Sequence, residues 1–277
     1  IREHRGKNIV IKYGGHAMVD NELSQSFSKD IGLLKEVGIN PIIVHGGGPQ
    51  IGKMLEKKNI KSNFIEGLRV TNKEAIKIVE EVLSKDINNK IVEDINLSGG
   101  KAIGLSGNKK KLIEAKKLKI QIKNSDSNIE KILDLGFVGE PVKISDKIIK
   151  QVIKKNLIPV ISPLGKDSNG NTYNINADTV AGAVAKAMKA SKLLLLTDVS
   201  GILDKNKKLI SSLSIQEAKN IIKEKFIVGG MKPKISTCIE AIDNGVKEAT
   251  ILDGRIPHSI VLELFTEHGI GTQIYSS

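Results

Sequence analysis

Apolar runs of strand length alternate with helix-patterned segments from residue 8 to residue 275, and this alternation constrains the chain more than any other feature. Residues 8–12 (NIVIK), 41–45 (PIIVH), 102–105, 157–162 (LIPVIS), 192–197 (KLLLLT), 248–252 and 272–275 read as strands. Helical patterning fills residues 21–37, 48–58, 145–155, 177–190, 258–267 and a segment after 231. Thr71-Asn72-Lys73-Glu74 and Ser214-Ile215-Gln216-Glu217 have the capping-box pattern, with Thr71 and Ser214 as caps. The first opens a helix with Ile76, Val79, Leu83 and Ile87 on one stripe. Strands alternating with helices require crossover connections, so the expected fold is α/β, with a mostly parallel sheet covered on both faces.

Residues 112–144 break the pattern. Short alternating segments with turns at Asn124-Ser125-Asp126 and Gly139-Glu140-Pro141 read as an inserted antiparallel flap. No linker or repeat divides the chain, so two lobes are expected to share one sheet, changing over near residues 160–176.

Composition removes several function classes. A hydrophobic content of 40% excludes wholesale disorder. No apolar run approaches the roughly 20 residues of a membrane helix. Cys238 is the single cysteine, which rules out an intrachain disulfide and a cysteine-built zinc site. The net charge is +12, but Arg2, Arg5, Arg69 and Arg255 are the only arginines and Trp is absent. Dispersed lysine without arginine clusters or aromatics argues against nucleic acid, while a positive field draws in small anions. No apolar targeting segment opens the chain, and the expected location is the cytoplasm.

Two strand–glycine turns suit an anion: Lys12-Tyr13-Gly14-Gly15 and His45-Gly46-Gly47-Gly48-Pro49. Bare backbone amides at a helix start present N–H groups and positive partial charge. The stretch Gly47 to Lys53 imitates a phosphate-binding P-loop, but Met54 stands where the magnesium-binding hydroxyl belongs, so that reading fails. In Asn174-Ile175-Asn176-Ala177-Asp178, spacing alone leaves a plain helix cap and a polar substrate wall equally open. Asp198 in Thr197-Asp198-Val199-Ser200-Gly201 follows a strand, where open α/β sheets bind ligands. Gly229-Gly230-Met231-Lys232-Pro233-Lys234 puts two lysines in a helix's first turn, against the dipole, which calls for an anionic neighbour. The five histidines have no metal-ligand spacing, and no resident protein-bound metal is expected.

These segments, together with Ile11–Met18 (IKYGGHAM) and Gly67-Leu68-Arg69-Val70-Thr71, resemble in order the acetylglutamate kinases of the amino acid kinase family. The resemblance implies a three-layer α/β/α sandwich with a hairpin lid. It implies an N-terminal lobe over residues 1–173 for the amino acid and a C-terminal lobe over 174–277 for ATP. It implies phosphorylation of the N-acetyl-L-glutamate side-chain carboxylate, with Mg2+ carried on the ATP phosphates. Lys12 and Lys234 would stabilise the transferring phosphoryl group, and Asp178 would hold both lysines. Gly47, Gly48, Arg69 and Asn174 would bind the amino acid, Arg69 through its α-carboxylate. Gly14, Gly15, Thr197, Asp198, Gly229, Gly230 and Met231 would border the nucleotide. Other acceptor acids, or a non-catalytic nucleotide- or arginine-binding regulator, remain alternative readings.

The C-terminal segment 258–272 resembles that of arginine-sensitive members. This implies L-arginine inhibition at Lys192, His258, Glu263 and Gly269, with Glu263 facing outward to a guanidinium. It also implies a homo-oligomer: a dimer, or a hexamer once an N-terminal helix is present.

Overall fold

A computed structural model describes residues 3–123 and 130–276. In chain order it contains β1 (Asn8–Tyr13), a 3-10 turn (Gly15–Met18), α1 (Asn21–Glu36), β2 (Asn40–His45) and α2 (Gly48–Lys57). Next come β3 (Phe64–Ile65), β4 (Leu68–Arg69), α3 (Lys73–Glu81), a π-helical turn (Val82–Ile87), α4 (Asn88–Leu97), β5 (Ala102–Ser106), β6 (Ile113–Lys123) and β7 (Glu130–Ile144). The second half holds α5 (Asp146–Lys154), β8 (Ile158–Ser162), β9 (Leu164–Lys166), β10 (Thr172–Ile175), α6 (Ala177–Ala187) and β11 (Lys192–Thr197). It ends with β12 (Ser212–Ser214), α7 (Ile215–Ile221), α8 (Met231–Asp243), β13 (Glu248–Asp253), α9 (Ser259–Phe265) and β14 (Thr272–Tyr275).

Eight strands form one sheet in the order β12-β14-β13-β11-β1-β2-β8-β5. The six from β13 to β5 are parallel neighbours, and β14 joins antiparallel to β13. A period of two sorts their side chains. Val10 enters one apolar core with α6 and α8, whereas Ile9 and Ile11 enter the other with α1 and α3. Two cores on opposite faces of one sheet make the three layers that the strand–helix alternation predicts.

The flap is a single long hairpin, β6 with β7, closed with β9 and β10 into a small four-stranded barrel. The turn expected at 124–126 lies outside the described residues. Local signals hold in part. Ser214 and Glu217 form the complete capping box. At the other box the cap is Asn72, whose Oδ1 accepts from the amides of Glu74 and Ala75. Thr71 is committed elsewhere: it is fully buried, its hydroxyl donates to Arg69 O, and its backbone bonds to Leu135 and Phe137 of β7. Ser145 precedes α5 without a side-chain capping bond. Among the described residues, no helix is long and apolar enough to cross a membrane.

Candidate active site

Strands β1 and β2 run side by side in the middle of the sheet, with Tyr13 level with His45. Both therefore release their glycine turns at the same carboxyl edge, where a parallel sheet leaves a crevice. The turns line a cavity of about 560 Å3 that also takes in Arg69, Asn174, Asp178, Asp198 and Lys234. Ten of the sequence-selected residues meet there: Lys12, Gly14, Gly15, Gly47, Gly48, Arg69, Asn174, Asp178, Asp198 and Lys234.

A charge cluster sits at its base. Lys234 Nζ donates to Asp178 Oδ2 at 2.6 Å, and Lys12 Nζ forms an ion pair with Asp178 Oδ1 at 3.3 Å. Lys12 Nζ also donates to Leu196 O at 3.3 Å. Asp178 stands in the first turn of α6 and Lys234 in that of α8, so the anion that Lys234 calls for is the protein's own carboxylate. Burial by itself pushes the Asp178 carboxyl upward, but the two ammonium groups outweigh it and hold the group below the usual carboxylate range. Burial lowers the Lys12 ammonium; Asp178 opposes that and Lys234 reinforces it. Both lysines share Asp178 and Lys12 also feels Asp198, so it is Arg69 on the wall of the same cavity that leaves it with excess positive charge to offer a ligand.

Arg69 forms the far wall. Its guanidinium stacks over Phe64 at 4.6 Å, donates through Nη2 to Gly48 O at 2.9 Å and through Nη1 to Ser62 Oγ. Guanidinium has five N–H donors, so this scaffolding leaves others for an anion. Gly48 is open where a side chain would stand, with no atom within 4 Å of a Cβ there. Gly15 has φ +72°, and a Cβ would come within 2.5 Å of Asp198 Oδ1. Asn176 answers the question its spacing left open: it caps α6 by accepting from the amides of Asp178 and Thr179, and it lines the cavity as well.

The amino acid kinase family matches residues 7–253. The chain belongs to the amino acid kinase family. It is 54% identical over 274 residues to an acetylglutamate kinase of Rhodospirillum centenum, covering 99% of this chain and 90% of that protein. Against an acetylglutamate kinase of Solidesulfovibrio magneticus the identity is 56% over 274 residues, covering 99% and 92%. Among solved structures, N-acetylglutamate synthase from Neisseria gonorrhoeae, complexed with coenzyme A and N-acetyl-glutamate, superposes with a TM-score of 0.85 at 25% identity. This chain spans 61% of that synthase's length. Carbamate kinase from Giardia lamblia bound to AMP-PNP shares the fold, with a TM-score of 0.69 at 16% identity over 98% of this chain and 99% of that one.

Within this amino acid kinase, Thr197, Gly229, Gly230 and Met231 are not on the wall of the cavity. Thr197 ends β11 with its carbonyl bonded to the Gly254 amide. Gly229, at φ +58°, and Gly230 precede α8 in open space, while Met231 rests against the core. The four C-terminal candidates also lie off the cavity wall. Lys192 is buried and paired with Glu248 at 2.9 Å. His258 has φ +58°; its amide donates to Ser26 Oγ at 2.6 Å, and its Nδ1 lies 2.6 Å from Asp30 Oδ1. Glu263 is a correction to the expected outward orientation. It is 7% exposed, and its Oε2 accepts from the amides of Ile270 and Gly271 at 2.9 and 3.2 Å. The turn at 269–271 offers two unpaired amides, and an inward carboxylate satisfies them better than solvent can. Gly269, at φ +59°, leaves the room: a Cβ would approach Glu263 Oε2 to 2.5 Å.

Sequence reasoning missed Phe64, Val138 and Pro163 on the cavity wall. Nothing local marks them, because the hairpin base and the β3–β4 turn reach the cavity only through tertiary packing.

Proposed function

We propose that this kinase transfers the terminal phosphoryl group of ATP, delivered as its magnesium complex, to the side-chain carboxylate of N-acetyl-L-glutamate. The observation that carries the reading is the Lys12–Asp178–Lys234 cluster facing open Gly48 in the same cavity as Arg69 and Asn174.

A carboxylate acceptor is already ionised at neutral pH, so the reaction needs no general base. It needs alignment and cancellation of charge on the transferring group. Lys12 and Lys234, each tethered to Asp178, supply fixed positive charge where phosphoryl oxygens develop charge in the transition state. Asp178 keeps two like charges together at a separation they would otherwise widen. The amides of Gly14, Gly15, Gly47 and Gly48 add donors in the same concavity. Arg69 receives the α-carboxylate with a planar fork that lysine lacks. Asn174 faces the acetamido side. In this reading residues 1–173 hold the amino acid, while residues 174–277, with Thr197, Asp198 and the 229–231 segment, border the nucleotide. Magnesium, which needs few protein ligands of its own, would arrive on the nucleotide phosphates as part of the substrate.

The test is an ATP-dependent hydroxamate assay with N-acetylglutamate, glutamate and aspartate in parallel. Hydroxamate from N-acetylglutamate, at a kcat/KM well above the other two, is the expected result. A preference for either free amino acid overturns the assignment of the acceptor.

A further inference from the structure

The last residue of β2, His45, is fully buried beneath the glycine turn and takes no part in the chemistry above. Its contacts define its protonation. Asn88 Nδ2 lies 3.0 Å from Val160 O, an atom that can only accept, so the amide nitrogen is the group facing it. The same nitrogen lies 3.1 Å from His45 Nε2. Nε2 is then the acceptor, the ring proton sits on Nδ1, and Nδ1–H donates to Gly46 O at 2.8 Å. Burial depresses the imidazole to about 4, so it is neutral near pH 7.

Pinning that carbonyl also fixes the N–H at the other end of the same peptide unit. Across a trans peptide the N–H of Gly47 points opposite to the C=O of Gly46. The Gly46 amide is itself tied to Tyr13 O at 2.7 Å, so both ends of the residue are held. The Gly47 N–H has no hydrogen-bond partner among the described residues, and Gly47 lies on the cavity wall. Asn88 is 2% exposed and comes directly after the π-helical turn Val82–Ile87. Such a turn inserts a residue and rotates the next helical segment by about 100°, and it aims the first residue of α4 at the ring. On the opposite side Gly104 of β5 leaves the space Asn88 occupies, since a Cβ there would collide with Asn88 Oδ1.

We propose that His45 and Asn88 are positioning residues, a buried relay from β8 through α4 to β2 that aims the Gly47 amide at the acceptor or phosphoryl oxygen. The proposal rests on the phosphoryl-transfer reading for the kinetic arm of its test, and a spectroscopic arm is independent of that reading.

In the spectroscopic arm, 15N resonances of labelled wild-type protein report the tautomer. A protonated Nδ1 and an unprotonated Nε2, unchanged from pH 8 to pH 6, are expected; an Nε2–H tautomer or a ring titrating in that range overturns the relay. In the kinetic arm, His45→Leu and Asn88→Leu lower kcat about a hundredfold, as sub-ångström to ångström misplacement does, with the ATP KM little changed. His45→Asn keeps an N–H where Nδ1–H stood and recovers most of the loss. Equal loss in His45→Asn and His45→Leu, or unchanged kcat in folded Leu variants, overturns it. Wild-type protein that fails to phosphorylate any acid rejects the functional reading, while the spectrum still decides the relay.

Discussion

At the scale of single residues, the site is an arrangement of charge. Asp178 pairs with both Lys12 and Lys234 and keeps them at one point, and each lysine is largely buried. Lys12→Ala and Lys234→Ala should each lower kcat by about a hundredfold or more, with far smaller effects on KM, since their charge is best matched in the transition state. Steady-state kinetics with both substrates varied checks this; near-normal kcat in either variant removes that lysine from the mechanism. His45 carries a second consequence. Its folded value is lowered to about 4, whereas an unfolded imidazole takes its proton near pH 6.5. Between those limits the unfolded chain binds more protons, so stability falls as pH drops through the window. From pH 7 to pH 5 the loss from this residue is about 2 kcal/mol. Urea titrations at both pH values should show that increment in wild type and its absence in His45→Asn.

At the scale of elements, a cap competes with a tertiary contact. Thr71 has the right spacing to Glu74, yet it bridges to Gly136 of β7, where a Cβ would strike Thr71 O. Asn72 therefore takes over the N-terminus of α3. Asn72→Ala should cost about 1 kcal/mol in urea denaturation, the usual value for a lost cap. A wild-type midpoint in that variant would mean the cap contributes nothing. The stripe Ile76, Val79, Leu83 and Ile87 was legible from spacing, and all four are buried. The π-helical turn within it was not, because apolar periodicity is insensitive to one added residue when the neighbours are also apolar. That turn brings Leu83 and Ile87 under Gly47, where a Cβ would meet them at 2.7 and 2.6 Å.

At the scale of the whole molecule, α9 docks on α1, far along the chain. Asp30 of α1 is 2% exposed and holds His258 at the entrance to α9. We infer that L-arginine binds in this region, on Lys192, His258, Glu263 and Gly269, and inhibits the enzyme. Glu263 already holds two amides through Oε2, so alanine would loosen the turn as well as remove charge. Glu263→Gln is the cleaner change, because an amide oxygen still accepts those bonds. L-arginine should raise the apparent KM for N-acetylglutamate in wild type and lose potency at least about tenfold in Glu263→Gln, a loss of the size expected for a charge-assisted bond. Saturating arginine without effect on wild-type kinetics rejects the inhibitor.

The sequence by itself determined the parallel sheet, since runs of apolar residues flanked by helical periods leave no other way to bury both faces. It also determined where ligands meet the sheet, because glycine turns at the ends of β1 and β2 must emerge at one edge. Lys12, Asp178 and Lys234 could be named from their motifs, but their convergence required every connection from β1 through β11 to α8 to place the starts of α6 and α8 beside one strand end. The inward Glu263, the Phe64 platform and the His45–Asn88 relay were decided only by the tertiary structure. Glu263 and His45 each take the partner the fold brings within hydrogen-bond reach, admitted by the missing side chain of Gly269 in one case and aimed by a π turn in the other, while Phe64 meets Arg69 across the β3–β4 pair and the fold carries both to the cavity.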